Sequence, residues 1–383
     1  MTKNYIPLHE PKFNGNEVKY LKECIRSSWV STNGLFIKKF EKHIEKYTKS
    51  KYAIFCINGT HALQISLLVA GVKSGDEVIV PTITFIAPIN AISYNHAKPI
   101  FMDCDEYYNI DEEKTIEFIN KETIYKNGFT INKKTKKIIR AIIVVHTFGN
   151  AVNLNQLVPL CKKRNIKIIE DASEALGTHY IKNEKYAGTV GDFGVISFNG
   201  NKIITSGAGG MILVKNKKNY DRIKYLIYQA KNDALNFIHN EIGYNFAQTN
   251  LNAALGLAQL ENIEKIISAK EKIHDTYKKN LNLTPNLKLV NVPEYSKNNY
   301  WLNILKVNRK YKKKLLHFLN KERILARPVW QLNHLQVKYK NCQTYNIQKA
   351  VYLHKTSICL PSSYHLRKED LFRVIKTLTN FKF

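Results

Sequence analysis

Short hydrophobic runs alternate with segments of helical periodicity between about residue 52 and residue 215, and this alternation constrains the fold most. Near-continuous apolar strands joined by helices are typical of a mostly parallel sheet that is covered on both faces. The seven predicted strands are residues 52–57, 77–81, 98–104, 141–148, 166–170, 193–198 and 210–214. In such sheets ligands bind at the carboxyl ends of the strands, so residues that follow a strand are the first candidates for a site.

The pattern changes near residue 250. Residues 251–267 carry apolar side chains at helical spacing, and shorter predicted strands and basic helices follow. A chain of 383 residues can bury a large core and is expected to form one large domain and one smaller domain. We therefore predict an α/β domain of residues 1–250, with helices on both faces of a mostly parallel seven-stranded sheet. A smaller α+β domain of residues 251–383 begins with a bridging helix.

Lys202 follows a predicted strand and a polar turn, and a glycine run ending at Gly210 comes after it. A second predicted strand ends in Glu170 and Asp171. A lysine amine and a carboxylate at strand ends are what a pyridoxal phosphate site requires. The amine forms a Schiff base with the aldehyde, and the carboxylate keeps the pyridine nitrogen protonated. Taken alone, Asp171 is equally well explained as a helix N-cap.

Residues 57–63 are predicted to form a strand end, a tight turn and the start of a helix. Backbone N–H groups at a helix N-terminus, with the hydroxyl of Thr60 beside them, suit a phosphate, and His61 follows directly. An ordinary N-cap is the alternative at this turn. Phe85 follows another strand and is suited to stack on a planar cofactor ring, although this evidence alone favours a core phenylalanine. Glu174 is expected near the rim of the same pocket.

The formal net charge of +28 is large for this length. It is compatible with nucleic-acid binding or with attraction of an anionic small substrate. The lysines do not cluster in one arm, which favours a basic solvated surface. The densest run, residues 132–137, is expected at a hairpin or loop tip. The histidines show neither H-x-x-x-H nor H-E-x-x-H spacing, so no metal site is predicted.

The first ten residues contain no apolar segment of the secretory type, and no apolar run reaches the length of a membrane span. Six cysteines are scattered without C-x-x-C spacing, which indicates reduced thiols. We therefore expect a cytoplasmic protein that binds neither membrane nor nucleic acid.

Taken together, these motifs resemble those of the DegT/DnrJ/EryC1/StrS sugar aminotransferases, which are pyridoxal-phosphate-dependent enzymes of fold type I. The resemblance extends over nearly the whole chain. The matching segments are residues 58–63, 75–85, 171–177, 197–210, 243–245, 327–330 and 360–363.

The resemblance implies roles for individual residues. Lys202 resembles the Schiff-base lysine, Asp171 the carboxylate on the pyridine nitrogen, and Phe85 the ring that stacks on the cofactor. The backbone at Thr60 and His61, together with the Ser197 hydroxyl, is similar to the family's phosphate cradle, and Glu174 is similar to a cofactor-binding position. Asn245 resembles the residue that reaches the phosphate from the other subunit of a homodimer. His334 and Trp330 resemble positions that face the sugar nucleotide.

Within the family, the chain is most similar to nucleotide-sugar 4-aminotransferases of legionaminic-acid pathways. This implies transfer of an amino group from L-glutamate to C4 of a nucleotide-linked 4-keto-6-deoxy-2-acetamido sugar. Ala247 stands where many members carry arginine, which leaves the binding of the donor carboxylate open. Amination at C3 and 3-dehydration remain alternatives, although dehydratases have a histidine where this chain has Lys202. A non-catalytic, nucleic-acid-binding regulator is the alternative from a different class.

Overall fold

The computed structural model describes residues 4–383. Within this part of the chain there are twelve α-helices and three short 3-10 helices, the latter at Thr147–Gly149, Asn333–Leu335 and Val337–Tyr339. The α-helices are α1 (Glu17–Arg26), α2 (Leu35–Thr48), α3 (Gly59–Val69), α4 (Ala87–Tyr94), α5 (Glu112–Lys121), α6 (Leu157–Lys163), α7 (Lys217–Ile227), α8 (Asn250–Leu260), α9 (Ile263–Leu281), α10 (Arg309–Lys321), α11 (Gln348–Thr356) and α12 (Lys368–Thr379).

Among these residues, eight strands form the central sheet, and the other ten form a second sheet of four strands and three two-stranded pairs. The central strands are β1 (Tyr52–Cys56), β2 (Glu77–Pro81), β3 (Lys98–Met102), β6 (Ile139–Val145), β7 (Lys167–Asp171), β9 (Phe193–Ser197), β10 (Gly210–Val214) and β17 (Thr344–Tyr345). The others are β4 (Thr123–Lys126), β5 (Phe129–Asn132), β8 (His179–Tyr180), β11 (Lys231–Asp233), β12 (Ile238–His239), β13 (Leu287–Leu289), β14 (Ser296–Lys297), β15 (Asn303–Val307), β16 (Arg327–Pro328) and β18 (Ser357–Leu360).

The central sheet has the order β1-β10-β9-β7-β6-β2-β3-β17. The strands from β9 to β17 pair in parallel, whereas β10 pairs antiparallel with both β1 and β9. The predicted α/β class is confirmed, and each of the seven predicted strands corresponds to one of these strands. The eighth central strand, β17, was not predicted. It is two residues long and lies in the C-terminal part of the chain, in a segment without an apolar run.

Helices cover both faces of the sheet because the side chains of each strand alternate between them. In β1, Ile54 packs in a cluster with Leu63 of α3, whereas Phe55 packs on the opposite face with Phe40 of α2. The parallel strands β6, β7 and β9 end at one edge of the sheet. The residues that follow these three strands are therefore brought together.

The predicted long helix at residues 251–267 is wrong in one respect: two helices, α8 and α9, occupy this region and meet at Glu261 and Asn262. Asn262 has φ −106° and ψ 7°, outside helical geometry. Glu261 accepts hydrogen bonds from Asn16 Nδ2 at 2.7 Å and from the Tyr20 hydroxyl at 2.5 Å. Contacts with α1 therefore hold the junction, and apolar periodicity carries no signal of such a break.

A second sheet, of order β13-β15-β18-β16, is antiparallel and packs with α9, α10 and α12 in a separate apolar cluster. Ile6 belongs to that cluster and pairs with Ile324. The N-terminal segment therefore packs on the C-terminal part of the chain, while β17 of the C-terminal part extends the central sheet. The division at residue 250 stays a prediction.

The basic run at residues 132–137 follows the β4–β5 hairpin and turns back so that Ile131 pairs with Ile138. It lies at a loop tip between β5 and β6, as predicted. Among the described residues, no helix combines the length and apolar character needed to cross a membrane.

Phe40 provides a test of this packing. Its fully buried ring lies 5.1 Å from that of Phe55 and 5.0 Å from that of Phe198, between centroids. We expect Phe40→Ala to lower the free energy of unfolding by about 3–5 kcal/mol, because it leaves a cavity. Urea unfolding measures this change. The half-exposed Phe372 is the control, and Phe372→Ala is expected to cost less than about 1 kcal/mol. Equal losses would contradict this account of the core.

Candidate active site

Lys202 lies within a closed loop that follows β9. The Lys202 N–H donates to the Asn199 carbonyl at 3.0 Å, and the Ser206 N–H returns to the Phe198 carbonyl at 3.0 Å. The Phe198 ring is fully buried beneath this loop. The loop is therefore fixed at both ends and anchored in the core, and it brings the lysine amine to the carboxyl edge of the sheet.

Two side chains bound the Lys202 amine. Its Nζ lies 4.3 Å from the centre of the Trp301 ring and 3.6 Å from Oε1 of Glu174. The Lys202 side chain is 13% exposed and that of Glu174 is 4% exposed, so this ion pair is removed from water. Burial raises the pKa of Glu174 to about 7, against the opposing effect of the Lys202 charge. Glu174 can therefore keep a proton up to about neutral pH.

Asp171 is the last residue of β7, and its side chain is buried. Its Oδ1 accepts the Ser173 N–H at 3.0 Å, the local turn that an aspartate forms with the residue two positions on. Burial raises the pKa of Asp171, while the bonds from Ser173 and the charge of Lys202 act against that rise. The carboxylate keeps acceptor capacity for a cationic or N–H partner.

Glu170 lies one residue earlier, on the opposite side of the strand. It accepts the backbone N–H groups of Gly188, Val190 and Gly191 at 3.0, 2.6 and 2.5 Å. His146 Nε2 lies 2.9 Å from its Oε2. Burial alone would raise the pKa of Glu170, but these bonds hold it below its ordinary value.

His146 is held as one neutral tautomer. Its Nδ1 accepts the Val152 N–H at 3.0 Å, so the ring proton is on Nε2 and is donated to Glu170. The Glu170 carboxylate is therefore fully bonded and structural.

The N-terminus of α3 forms a narrow concave surface next to these groups. Asn58 caps the helix: its Oδ1 accepts the His61 N–H at 2.8 Å, which leaves Gly59 and Thr60 to offer N–H groups to an anion. A Cβ atom built on Gly59 would lie 3.1 Å from Ser197 Cβ and 3.2 Å from Ser173 Oγ. A side chain at this position would crowd both serines unless they shifted by a few tenths of an ångström, and the two serine side chains line the same space.

Three aromatic side chains form a wall above Lys202. Phe148 stacks on Trp330 at 4.7 Å and on Trp301 at 6.5 Å between ring centroids. The Phe148 N–H donates to Glu174 Oε2 at 2.8 Å. Phe148 has φ 58°, a left-handed conformation that is strained for an aromatic residue. The stacking on the two tryptophans and the bond to Glu174 hold it there.

The structure thus brings together Lys202, Asp171, Glu174, Ser197 and the Thr60 end of α3, with Trp330 above them. His61 is adjacent, but its ring packs on Phe246 at 4.2 Å. His334 lies further along the edge, with Nδ1 2.7 Å from the Thr82 hydroxyl.

Phe85 and Asn245 are both exposed. Phe85 follows β2 at the same edge with half of its ring exposed, and Asn245 lies in the segment before α8. No contact in the described chain joins either side chain to Lys202.

Sequence reasoning missed Ser173, Phe148 and Trp301 as parts of the site. Ser173 had a usable signal, because a residue two positions after a strand-end aspartate commonly closes a turn on it. Phe148 ends a predicted strand, but nothing marked its N–H as the donor to Glu174. Trp301 had no local signal, because it comes from a segment about 100 residues away.

The residues present fit pyridoxal phosphate. The Gly59 surface with two serines and helix N–H groups suits a phosphate. Asp171 offers a buried carboxylate for a protonated ring nitrogen, and Lys202 an amine for the aldehyde. Among residues 4–383, no group of three or more histidine, cysteine, aspartate or glutamate side chains is arranged to hold a metal ion.

Comparison with known proteins gives the same answer. Residues 11–379 match the DegT/DnrJ/EryC1/StrS aminotransferase family. A GDP-perosamine synthase of Escherichia coli O157:H7 is 38% identical, with 98% of each chain covered. The putative pyridoxal phosphate-dependent aminotransferase EpsN of Bacillus subtilis is 31% identical, with 97% of this chain and 95% of that protein covered.

The fold also matches solved structures. The PLP form of the putative sugar aminotransferase Spr1654 of Streptococcus pneumoniae superposes with a TM-score of 0.86 at 23% identity, with 98% of this chain and 97% of that chain covered. The chain therefore belongs to the DegT/DnrJ/EryC1/StrS family of pyridoxal-phosphate-dependent aminotransferases.

Proposed function

We propose that this enzyme transfers an amino group from L-glutamate to C4 of a nucleotide-linked 4-keto-6-deoxy sugar. The observation that carries the proposal is the convergence of Lys202, Glu174 and Asp171 beside the N-terminus of α3. The bound cofactor supplies an electron sink for the carbon that loses its proton. The similarity of the motifs to legionaminic-pathway enzymes favours a 2-acetamido sugar. The name of the E. coli relative favours a GDP-linked sugar instead.

Each residue has a distinct task in this proposal. Lys202 binds the cofactor and carries the proton to and from the substrate carbon. Glu174 lies 3.6 Å from the Lys202 amine and tunes that transfer, because its own proton is held until about neutral pH. Asp171 holds the protonated ring nitrogen, and Ser173 fixes the direction of its carboxylate. Trp301, Trp330 and Phe148 exclude water from one side.

One set of assays tests both the identity of the substrate and the role of Lys202. Wild-type protein is incubated with glutamate and a panel of GDP-, UDP- and CDP-linked 4-keto-6-deoxy sugars, with and without the 2-acetamido group, and the products are identified by mass spectrometry and NMR. We expect a 4-amino product from one nucleotide class. Lys202→Ala should abolish product formation and the borohydride-reducible adduct between protein and cofactor.

Lys215 is a matched control for Lys202. It also follows a strand, but β10 runs antiparallel to β9 and places Lys215 at the opposite edge of the sheet. Lys215→Ala should keep the activity. Full activity of Lys202→Ala, or a 3-amino or dehydrated product from the wild type, would refute the proposed assignment.

The proton affinity of Glu174 gives a pH-dependent prediction. In the unfolded chain this group loses its proton near its ordinary pKa of 4.5, whereas the folded protein retains it to about 7. The folded state binds more protons in that window, so the free energy of unfolding falls as the pH rises through it. Glu174→Gln does not titrate there. In cofactor-free protein, the variant should therefore gain about 1–3 kcal/mol relative to wild type between about pH 5 and pH 8.

Urea unfolding at both pH values measures this gain. Glu113→Gln, on the exposed surface of α5, is the control and should show the same difference from wild type at both pH values. A constant offset for Glu174→Gln as well would show that Glu174 ionises normally in the fold.

We also propose a homodimer in which Asn245 serves the site of the other subunit. Asn245 is exposed and follows a hairpin whose apolar side chains Leu235, Phe237 and Ile242 are 85, 72 and 84% exposed. Apolar side chains this exposed in one segment mark an interaction surface. The resemblance of Asn245 to the family's cross-subunit residue supports a second copy of this chain as the partner.

Subunit complementation tests the shared site. Lys202→Ala and Asn245→Ala chains are each expected to be defective. If Asn245 serves the neighbouring site, a hybrid dimer collects both defects in one site and has one intact site, so mixing restores activity. If Asn245 serves its own chain, every hybrid site carries one defect. Activity is measured after co-expression, with differently tagged chains to isolate the hybrid. A pure hybrid without recovered activity would reject the shared site.

A further inference from the structure

Three buried polar side chains lie on one face of α9 and point towards two other segments of the chain. Lys270, His274 and Tyr277 lie at positions i, i+4 and i+7 and therefore share a face of the helix. His274 Nδ1 lies 2.8 Å from Oδ1 of Asn303, and the Tyr277 hydroxyl donates to the Pro361 carbonyl at 3.0 Å. This polar face joins α9 to the segments around residues 300–303 and 360–363.

Lys270 is the unusual member of this set. Its side chain is fully buried, and its Nζ donates to the carbonyls of Trp301 at 3.1 Å, Ser362 at 2.5 Å and, more weakly, Tyr300 at 3.5 Å. All three acceptors are neutral carbonyls. Burial lowers the pKa of Lys270 to about 7, so its charged form is held at a cost in free energy. An apolar side chain would avoid that cost but would leave these carbonyls without the donor, so the Lys270 amine joins the two segments that carry them.

The acceptor at 3.1 Å leads directly to the catalytic lysine. Trp301 receives the Lys270 bond on its carbonyl, and its indole Nε1–H donates to the Asn201 carbonyl at 2.7 Å. Asn201 is the residue before Lys202. The same indole ring lies 4.3 Å from Lys202 Nζ. Trp301 therefore holds the main chain next to Lys202 through its indole N–H and limits the space around the Lys202 amine with its ring. Lys270 in turn holds Trp301 through the hydrogen bond to its carbonyl.

We propose that Lys270 is a positioning residue for Lys202 and acts through Trp301. Its N–H groups hold the carbonyls of two turns together and thereby set the position of the indole against the lysine amine. This inference rests on the proposed role of Lys202. Displacing a catalytic group by about 1 Å can reduce a rate on the order of 100-fold, so a modest shift of Trp301 is sufficient to matter.

The test uses Lys270→Met, which keeps the length and removes the donors, with Tyr277→Phe as the matched control. Tyr277→Phe removes one hydrogen bond from the same helix face, but that bond ends on Pro361 and not on Trp301. The first readout is 19F NMR of cofactor-free protein labelled with 5-fluorotryptophan, which gives one signal for each of its three tryptophans. Trp301→Phe assigns the signal. We expect it to move or broaden in Lys270→Met and to stay in place in Tyr277→Phe.

The second readout is steady-state kinetics of the cofactor-loaded enzyme. Lys270→Met should lower kcat on the order of 10- to 100-fold with little change in KM for the sugar nucleotide, and Tyr277→Phe should leave kcat within about twofold. Trp301→Phe should lower kcat as well. In the double variant the Lys270→Met effect should be largely lost, since residues that act through one another are not additive.

An unmoved Trp301 signal, a kcat loss equal to that of Tyr277→Phe, or full additivity with Trp301→Phe would each overturn the inference. If Lys270→Met does not fold, Lys270→Gln, which keeps two N–H donors without a charge, is measured against the same criteria. If neither variant folds, unchanged kcat in Trp301→Phe overturns the inference and a lowered kcat supports it. Failure of the Lys202 assignment is a separate outcome, because only the Lys202→Ala experiment reports it and the NMR readout does not depend on it.

Discussion

The removal of three carboxylates from water at the end of β7 is the constraint on which the rest of the site depends. An ionised carboxylate taken out of water costs several kcal/mol unless donors or cations replace the lost hydration. Glu170 is fully compensated by three backbone N–H groups and His146. Asp171 and Glu174 are not: each accepts one backbone N–H, and both depend on the charge of Lys202. The uncompensated pair lies where the proposed function places a cationic cofactor ring and a lysine amine, so the missing compensation and the proposed chemistry coincide.

Compensating these acids imposes geometry on segments that are far apart in the chain. The Phe148 N–H reaches Glu174 only because Phe148 adopts φ 58°, which costs about 1–3 kcal/mol for a residue of this type. The stacking with Trp330 offsets part of that cost and also closes one wall of the site. A glycine would relieve the strain at this position but would remove the wall. The strained backbone of Phe148 is therefore explained by its simultaneous contacts with Glu174 and Trp330.

Much of the fold followed from sequence because its signals are local. Seven apolar runs matched seven strands, since a strand buried on both faces must be apolar along its length. The positions of Lys202 and Asp171 at one edge followed from the parallel arrangement of β7 and β9. The junction of α8 and α9 and the contact of Trp301 with Lys202 did not follow. Both depend on which distant segments of the chain pack together. The spacing of apolar residues predicts that a residue is buried, but it does not predict which segment covers that residue.

The surroundings of Lys202, the proposed Schiff-base lysine, do not come from the central sheet alone. Its loop belongs to that sheet, but Trp301 comes from the segment that leads into β15, and Lys270 holds that segment to α9 and to the turn after β18. The N-terminal segment locks the same turn, since the Ser362 N–H donates to the Leu8 carbonyl at 2.7 Å. Any opening between the central sheet and the C-terminal part would therefore separate the indole from Lys202. If Lys202 holds the cofactor as proposed, a cofactor that binds the closed arrangement better would also stabilise the packing between these parts. On the proposed role of Lys202, cofactor binding and docking of the C-terminal part would be coupled, and Trp301 is the side chain that contacts both Lys202 and the segment held by Lys270.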